Sequence, residues 1–202
     1  MNISQTVNGA LRRVPAWPLY IVGPIPAFWW LYQGLTGGSG ADPVKALEHA
    51  LGEFGLQLLI ATLAITPLRN LTRISLVKYR RALGLMVFFY ICCHLLVWLL
   101  LDVQIWSQIW TDIVKRPYIT IGMAAFALLI PLAMTSNNWS VRKLGPLVWR
   151  RLHWLTYPAA ILGAVHFVML VKGWQIKPLV YLAILLLLLA TRIRIRRPRQ
   201  AA

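Results

Sequence analysis

Long apolar runs alternate with short polar and basic segments along the whole chain. All but the last of the runs have roughly 17 to 20 residues, the length that an α-helix needs to cross the hydrocarbon core of a bilayer. The pattern predicts an all-α fold, a polytopic membrane helical bundle of six transmembrane helices that forms a single domain over residues 1–202. The sixth run is the shortest, and Ile193 and Ile195 after it alternate with arginines that can snorkel to an interface. The predicted spans are Ala16–Leu35, Gly52–Leu68, Ala82–Leu101, Pro117–Met134, Leu152–Val171 and Ile176–Ala190.

The charged residues indicate how these spans are oriented. The chain carries 21 Lys and Arg against 5 Asp and Glu, which gives a net charge of +16. The basic residues lie between the apolar runs, so the charge indicates membrane topology and not nucleic-acid binding. Since Lys and Arg accumulate in cytoplasmic loops, we predict that both termini are cytoplasmic and that the first, third and fifth spans run outward. The predicted cytoplasmic set is Arg12, Arg13, Arg69, Arg73, Lys78, Arg80, Arg81, Arg142, Lys143, Arg150, Arg151, Arg192, Arg194, Arg196, Arg197 and Arg199; the outer set is Lys45, Lys115, Arg116, Lys172 and Lys177, with all the acids, Asp42, Glu48, Glu53, Asp102 and Asp112.

The first run follows Arg12 and Arg13, so a cleaved signal peptide is an alternative to a retained span. The run is too long and too aromatic for a signal peptide and has no clear small-residue cleavage site, which favours a retained span. The only cysteines, Cys92 and Cys93, are adjacent within the third span. The sequence therefore predicts no disulfide framework.

Three of the four histidines, His94, His153 and His166, lie within or at the edge of apolar runs. An ionisable residue inside a membrane is a functional hypothesis by default, because lipid makes it unfavourable there without a partner. His94 and His166 lie at similar depths in spans that run in the same direction, which predicts that they face one another across neighbouring helices. His153 lies near the cytoplasmic boundary, at the depth of Arg80 and Arg81 in the third span, where no histidine can pair with it.

Helix phase complicates the relation between the two histidines of the fifth span. Thirteen residues separate His153 and His166, which advances a straight helix about 220° beyond three whole turns, so the two side chains face apart. Either a kink at Pro158 or ligation toward different neighbours would resolve this.

The histidine pattern favours haem over other metals. Zinc sites need three or four clustered ligands, whereas these histidines are dispersed without an acid or thiolate beside them. Without a C-x-x-C-H motif the haem would be b-type, and two histidine ligands on one iron suit electron transfer. The alternative is that the histidines are core residues hydrogen-bonded between helices. Basic residues at the cytoplasmic boundary are candidates for holding haem propionates: Arg73, Lys78, Arg80, Arg81, Arg150 and Arg151.

Several short motifs follow one another along nearly the whole chain. They are Gly40–Lys45 with His49, Ile65–Leu68, Arg80–Leu85 leading to His94, Arg116–Gly122, Thr135 with Ser136, Lys143–Gly145, and Trp149–His153 ending at His166. In this order they resemble the haem-binding membrane subunits of bacterial periplasmic protein-methionine-sulfoxide reductase systems, the MsrQ (formerly YedZ) family.

The resemblance implies a ferric-reductase-like transmembrane domain in a bacterial inner membrane. It implies haem ligands on the third and fifth spans, at His94, His166 and His153, and leaves the number of haems at one or two. It further implies FMN as a possible cofactor and a quinone or cytoplasmic flavin reductase as the electron donor. The partner would be a periplasmic molybdopterin-containing reductase subunit, which itself carries out the methionine-sulfoxide chemistry.

Two other functions remain open from the sequence alone. The histidines could serve a cofactor-free transporter or a proton relay, although no acid lies at mid-membrane. A purely structural membrane-assembly factor is the third hypothesis, and it leaves the histidines unexplained. His49, beside Glu48 in the first outer loop, is interpreted as a solvated or interfacial residue, with a role as ligand or quinone contact as the alternative.

Overall fold

A computed structural model of the chain describes residues 3–171, 173 and 175–192. Almost all of these residues are helical and none of them forms a strand, which confirms the all-α prediction. The predictions made for the remaining residues, which concern topology and interfacial anchoring, lie outside the described part of the chain: Lys172, Ile193, Arg194, Ile195, Arg196, Arg197 and Arg199.

The predicted first span is divided into two short helices. Helix α1 (Ile3–Arg13) precedes it, and α2 (Pro18–Val22) and α3 (Ile25–Leu35) together cover the apolar run. The break falls at Gly23 and Pro24, and the carbonyl of Gly23 accepts a 2.6 Å hydrogen bond from the hydroxyl of Tyr90, a residue with no exposed surface. A proline-interrupted helix is tolerated in a membrane protein when such a freed carbonyl finds a donor.

Helix α4 (Pro43–Thr72) is longer than the predicted second span, which began at Gly52. Its N-cap is Asp42, whose carboxylate accepts a 3.1 Å hydrogen bond from the backbone N–H of Lys45. This hydrogen bond lowers the pKa of the Asp42 carboxyl below its usual value. The residues around His49, assigned from the sequence to the first outer loop, are therefore the first two turns of α4, which continues without a break to Thr72.

Three further α-helices follow, one of them with a π-helical extension. Helix α5 (Arg80–Val97) continues into a π-helical turn at Trp98–Val103, and the short amphipathic helix α6 (Trp106–Lys115) leads into α7 (Pro117–Met134). The bounds of α7 are those predicted for the fourth span.

The predicted fifth span, Leu152–Val171, consists mainly of a 3₁₀ turn followed by a helix, and another helix comes directly before it. Helix α8 (Asn138–Leu152) bends at Gly145, whose φ of 75° few other residues adopt. A 3₁₀ turn at His153–Leu155 joins α8 to α9 (Thr156–Leu170), and α10 (Ile176–Ala190) follows.

Within the described part of the chain, four helical segments are long and apolar enough to cross a membrane. The first predicted span is broken and the sixth forms a 15-residue helix, so six spans and cytoplasmic termini stay predictions. The four segments are Pro43–Thr72, Val77–Val103, Pro117–Met134 and Asn138–Leu170.

The bundle core lies between α4, α5, α7, α9 and α10. Helix α9 presents Ala159, Ala160 and Ala164, each at most 2% exposed, to its neighbours. Small residues allow helix backbones to approach closely where lipid supplies no hydrophobic drive for association. Large apolar side chains such as Leu100 and Leu187 are exposed on the outside of the bundle, as expected for a surface that faces lipid.

One arginine near the end of the described chain compensates for a proline in α4. Pro67 has no N–H, so it cannot donate the helical hydrogen bond to the carbonyl of Leu63. Arg192 donates to that carbonyl at 2.6 Å and lies 3.4 Å from the hydroxyl of Tyr157. This residue, expected from the sequence to contribute to topology, therefore also ties the end of α10 to α4.

Candidate cofactor site

A cavity of about 320 Å³ lies inside the bundle between α4, α5, α7 and α9. Its inner walls are mostly apolar, and its mouth is lined by charged residues from the end of the bundle that the charge pattern predicts to face outward. The mouth includes Lys45, Glu48, His49, Asp102 and Arg116, and the deeper walls include Leu59, Val87, Ile91, Phe126, Leu129, Gly163 and Phe167.

His94, on α5, lines this cavity and is held by the backbone of α4. Its Nδ1 atom lies 2.9 Å from the carbonyl oxygen of Glu48. The ring packs directly over Gly52, where a built Cβ would lie 3.0 Å from the same Nδ1 atom.

His166, on α9, is held in the same manner by α7. Its Nδ1 atom lies 2.7 Å from the carbonyl oxygen of Tyr118. A Cβ built at Gly122 would lie 2.8 Å from that Nδ1. Two histidines from two different helices therefore have matching environments.

The two rings lie side by side within the cavity. Their centroids are 6.2 Å apart and their planes are inclined at 76°. A carbonyl oxygen only accepts, so each Nδ1 carries the proton and donates it, and each Nε2 keeps its lone pair. The structure thus brings together the two histidines that the depth comparison paired.

The pair fits an iron bound between two imidazoles. A metal–imidazole nitrogen bond is about 2.0 Å long, so two imidazoles on opposite sides of one iron have ring centroids about 6 Å apart. Histidine ligands generally donate their other ring N–H to a carbonyl or carboxylate, as both rings do here. Among the described residues no group of three His, Cys, Asp or Glu side chains comes together for a metal ion. A two-ligand iron such as haem therefore suits the donor set better than a bare ion.

His153 lies elsewhere, in the 3₁₀ turn before α9, and does not line the cavity. Its Nδ1 atom is 3.1 Å from the carbonyl oxygen of Trp149, and its ring stacks on the Trp149 indole at a centroid distance of 3.8 Å. Its Nε2 atom is 3.5 Å from the hydroxyl of Ser136. His153 and His166 thus contact different neighbours, in agreement with side chains that point in different directions. Ligation of a cofactor by His153 stays a prediction. The backbone changes geometry at the 3₁₀ turn, and Pro158 lies within the first turn of α9.

The arginines proposed to hold propionates are not in the wall of the His94–His166 cavity. Arg80 donates to the hydroxyl of Thr66, and Arg81 donates to the side chain of Asn138 at 2.7 Å. Arg151 is exposed at the end of α8. Among the described lysines and arginines, Lys45 and Arg116 line the cavity, and the sequence had assigned a role to them only in topology.

Ion pairs collect at the mouth end of the bundle. Lys45 pairs with Asp42 at 3.5 Å, Arg116 with Asp112 at 3.2 Å, and Lys177 with Glu53 at 2.7 Å. The hydroxyl of Tyr181 and the side-chain amide of Gln57 also contact Glu53: the hydroxyl donates at 3.0 Å and the amide at 3.2 Å. His49 is exposed and lines the mouth, as a solvated or interfacial residue would.

Sequence reasoning missed two residues of the site, Gly52 and Gly122. Each glycine follows a carbonyl acceptor by four residues, in the second and fourth predicted spans. This spacing is visible in the sequence, but only the structure shows that a histidine ring lies over each glycine.

Comparisons with known proteins identify the family of this helical membrane protein. Residues 50–164 match the family described as ferric reductase like transmembrane component. The chain is 53% identical over 178 residues to proteins of Brucella ovis and Brucella canis, each named protein-methionine-sulfoxide reductase heme-binding subunit MsrQ. The match covers 88% of this chain and 80% of each relative. No solved structure gives a significant match. The chain therefore belongs to the MsrQ family of ferric reductase-like transmembrane proteins.

Proposed function

We propose that the chain is a haem b-containing membrane subunit that transfers electrons across a bacterial inner membrane. The observation that carries this proposal is the His94–His166 pair, with rings 6.2 Å apart and each Nδ1 bonded to a backbone carbonyl. The names of the Brucella relatives, which describe a heme-binding subunit, support the same cofactor.

The protein's part in this function is to hold and orient the ligands. His94 and His166 would bind the iron through Nε2, and the backbone of α4 and α7 fixes their ring orientation and tautomer. Haem supplies a one-electron redox couple when bound. Two histidine ligands leave no open position on the iron, which suits electron transfer better than oxygen chemistry. The mostly apolar wall of the cavity limits water around the ligands.

Lys45 and Arg116 are the candidates to pair with propionates of a haem in this cavity, because they are the basic residues of its wall. The cytoplasmic arginines would serve a second cofactor. The positive charges of Arg192 and Arg69 act on Arg80, whereas all five acids of the chain are assigned to the other end of the bundle. Positive charge therefore predominates at this end. We propose that Arg80, Arg81 and Arg151 favour anionic groups there, either the propionates of a second haem near His153 or the phosphate of FMN.

The proposed orientation gives the direction of electron flow, and the resemblance to the MsrQ family suggests the donor and the acceptor. Electrons would enter at the cytoplasmic side from a quinol or a flavin reductase and leave at the mouth of the cavity. The acceptor would be a periplasmic molybdopterin-containing reductase subunit that repairs oxidised methionine in proteins. The reductase chemistry would lie in that partner, and this chain would supply its electrons.

Vesicles that contain the purified chain and enclose ferricyanide, a membrane-impermeant acceptor, test electron transfer directly. Quinol or reduced flavin added outside should bleach the enclosed ferricyanide when the wild-type chain is present. The His94→Ala and His166→Ala variants should not exceed the rate of empty vesicles. A wild-type rate equal to that of empty vesicles would contradict the proposal.

The orientation is tested by cysteine labelling. In a chain whose Cys92 and Cys93 are replaced by alanine, Ala41→Cys should react with an impermeant maleimide from the periplasmic side. Ser75→Cys, in the exposed loop before α5, should react only after the membrane is permeabilised. The reverse pattern would contradict the topology predicted from the basic residues.

A further inference from the structure

Two glycines occupy equivalent positions beneath the paired histidines. Gly52 lies under His94 and Gly122 lies under His166. A Cβ built at either glycine would be within 3.2 Å of both Nδ1 and Cε1 of the facing ring. Real Cβ atoms rarely approach other atoms this closely, so each ring occupies the space that a side chain would fill.

Each glycine also stands four residues after the carbonyl that accepts the histidine N–H. Glu48 precedes Gly52, and Tyr118 precedes Gly122. In an α-helix the Cα–Cβ bonds tilt toward the N-terminus, so the side chain of residue i+4 lies over the carbonyl of residue i. Glycine at i+4 therefore uncovers that carbonyl for a second donor from a neighbouring helix.

We propose that Gly52 and Gly122 are positioning residues that together set the orientation and tautomer of the two histidines. Each glycine opens one helix carbonyl, the carbonyl takes the Nδ1 proton, and Nε2 is left as the free ring nitrogen. The role in haem binding rests on the proposed function, whereas the role in the tautomer does not depend on haem.

An alanine substitution at either glycine distinguishes the positioning of the histidine from an effect on helix stability. Alanine has the higher helix propensity, by about 1 kcal/mol, so propensity alone predicts no harm from the substitution. The added methyl group must instead displace the ring from its carbonyl. Partners that orient a metal ligand typically change metal affinity about 10- to 100-fold when they are removed.

The chain supplies two matched glycine controls. Gly55, three residues after Gly52 on α4, is similarly crowded, but its built Cβ meets Ile91 Cδ1 at 2.8 Å and no histidine. Gly84, on α5, is exposed and its built Cβ has no neighbour within 4 Å. Because Gly55 and Ile91 both line the cavity, Gly55→Ala controls for crowding between α4 and α5 only in the measurement of the histidine tautomers. Gly84→Ala is the control for haem affinity.

The experiment compares the four alanine variants with wild type in two measurements. Haem titration of protein prepared without haem should show affinities lowered about 10- to 100-fold for Gly52→Ala and Gly122→Ala, with altered low-spin EPR signals. Gly84→Ala should keep the wild-type affinity and signal. Thermal unfolding of the haem-free variants shows whether a loss of haem binding reflects a failure to fold. Wild-type haem affinity in both folded variants, Gly52→Ala and Gly122→Ala, would overturn the role in haem binding.

The second measurement is ¹⁵N NMR of the histidine side chains in haem-free protein. The wild-type chain should show the Nδ1–H tautomer at His94 and His166. Gly52→Ala should change the signal of His94 and Gly122→Ala that of His166, whereas Gly55→Ala and Gly84→Ala should change neither. Unchanged tautomers together with unchanged haem affinity would overturn the positioning role. Wild-type protein that shows the tautomers but binds no haem would contradict the proposed function and leave the glycine role supported.

Discussion

Alanine in place of His94 or His166 is expected to abolish one and the same low-spin haem signal. The two rings lie 6.2 Å apart in one cavity, and each presents an Nε2 whose lone pair is free because Nδ1 donates to a carbonyl. Removal of either imidazole leaves the iron with one protein ligand. We expect the content of this haem per chain to fall at least about 10-fold, since removal of even an outer partner of a ligand costs that much. The measurement is the haem-to-protein ratio of purified variants made with ample haem supply.

His49→Ala and His153→Ala are the matched controls. His49 is an exposed residue at the mouth, and His153 lies outside the cavity against Trp149 and Ser136. Both variants should retain the low-spin haem signal that is lost in His94→Ala and in His166→Ala. Retention of the full signal in His94→Ala or His166→Ala would show that the pairing is wrong.

Leucine at Gly163 is expected to exclude haem without touching either histidine. Gly163 lies on α9, lines the cavity, and its built Cβ has no neighbour within 4 Å. The leucine side chain would extend into the space proposed for the macrocycle. Forcing methylene groups into filled space costs roughly 1–3 kcal/mol, which corresponds to about 5- to 150-fold weaker binding. The haem-free variant should fold normally because leucine is a good helix former.

The comparison is Gly84→Leu, which adds the same side chain at an exposed glycine with equally open surroundings. Haem titration of both variants, with thermal unfolding of the haem-free proteins, measures the difference. Equal haem affinity in Gly163→Leu and wild type would place the cofactor outside this cavity.

The helices follow from the sequence wherever an apolar run is uninterrupted. The run at Pro117–Met134 became a helix with those bounds, since Pro117 can begin a helix and no polar residue breaks it. The apolar runs did not predict the helix boundaries where glycine, proline or a hydrogen bond from another helix determines the backbone conformation. The run Ala16–Leu35 contains Gly23 and Pro24, and a hydrogen bond from distant Tyr90 stabilises the break. Hydropathy also could not show that α4 begins at Pro43, because its first two turns include the polar residues Lys45, Glu48 and His49 and follow the N-cap Asp42.

The sequence was sufficient to pair the two histidines of the site but not to identify the residues that surround them. Depth along two parallel spans was enough to pair His94 with His166. The neighbours of each side chain depend on helix rotation, which no run of apolar residues specifies. The sequence therefore could not show that His153 stacks on Trp149, that Lys45 and Arg116 line the cavity, or that glycines lie beneath both rings.

The backbone hydrogen bonds also bear on the proton-relay hypothesis. A relay requires imidazoles that exchange protons with neighbouring titratable groups. The Nδ1 atoms of His94 and His166 are instead held by carbonyl oxygens, which do not accept a proton covalently. This geometry supports a fixed ligand role over a mobile proton carrier.

The most direct test of the central claim, that His94 and His166 bind one haem iron, is the EPR spectrum of the oxidised, purified wild-type protein. Two histidine ligands predict a low-spin ferric signal of the bis-imidazole type. A purely high-spin signal, or no haem at all in protein produced with ample haem supply, would contradict the claim.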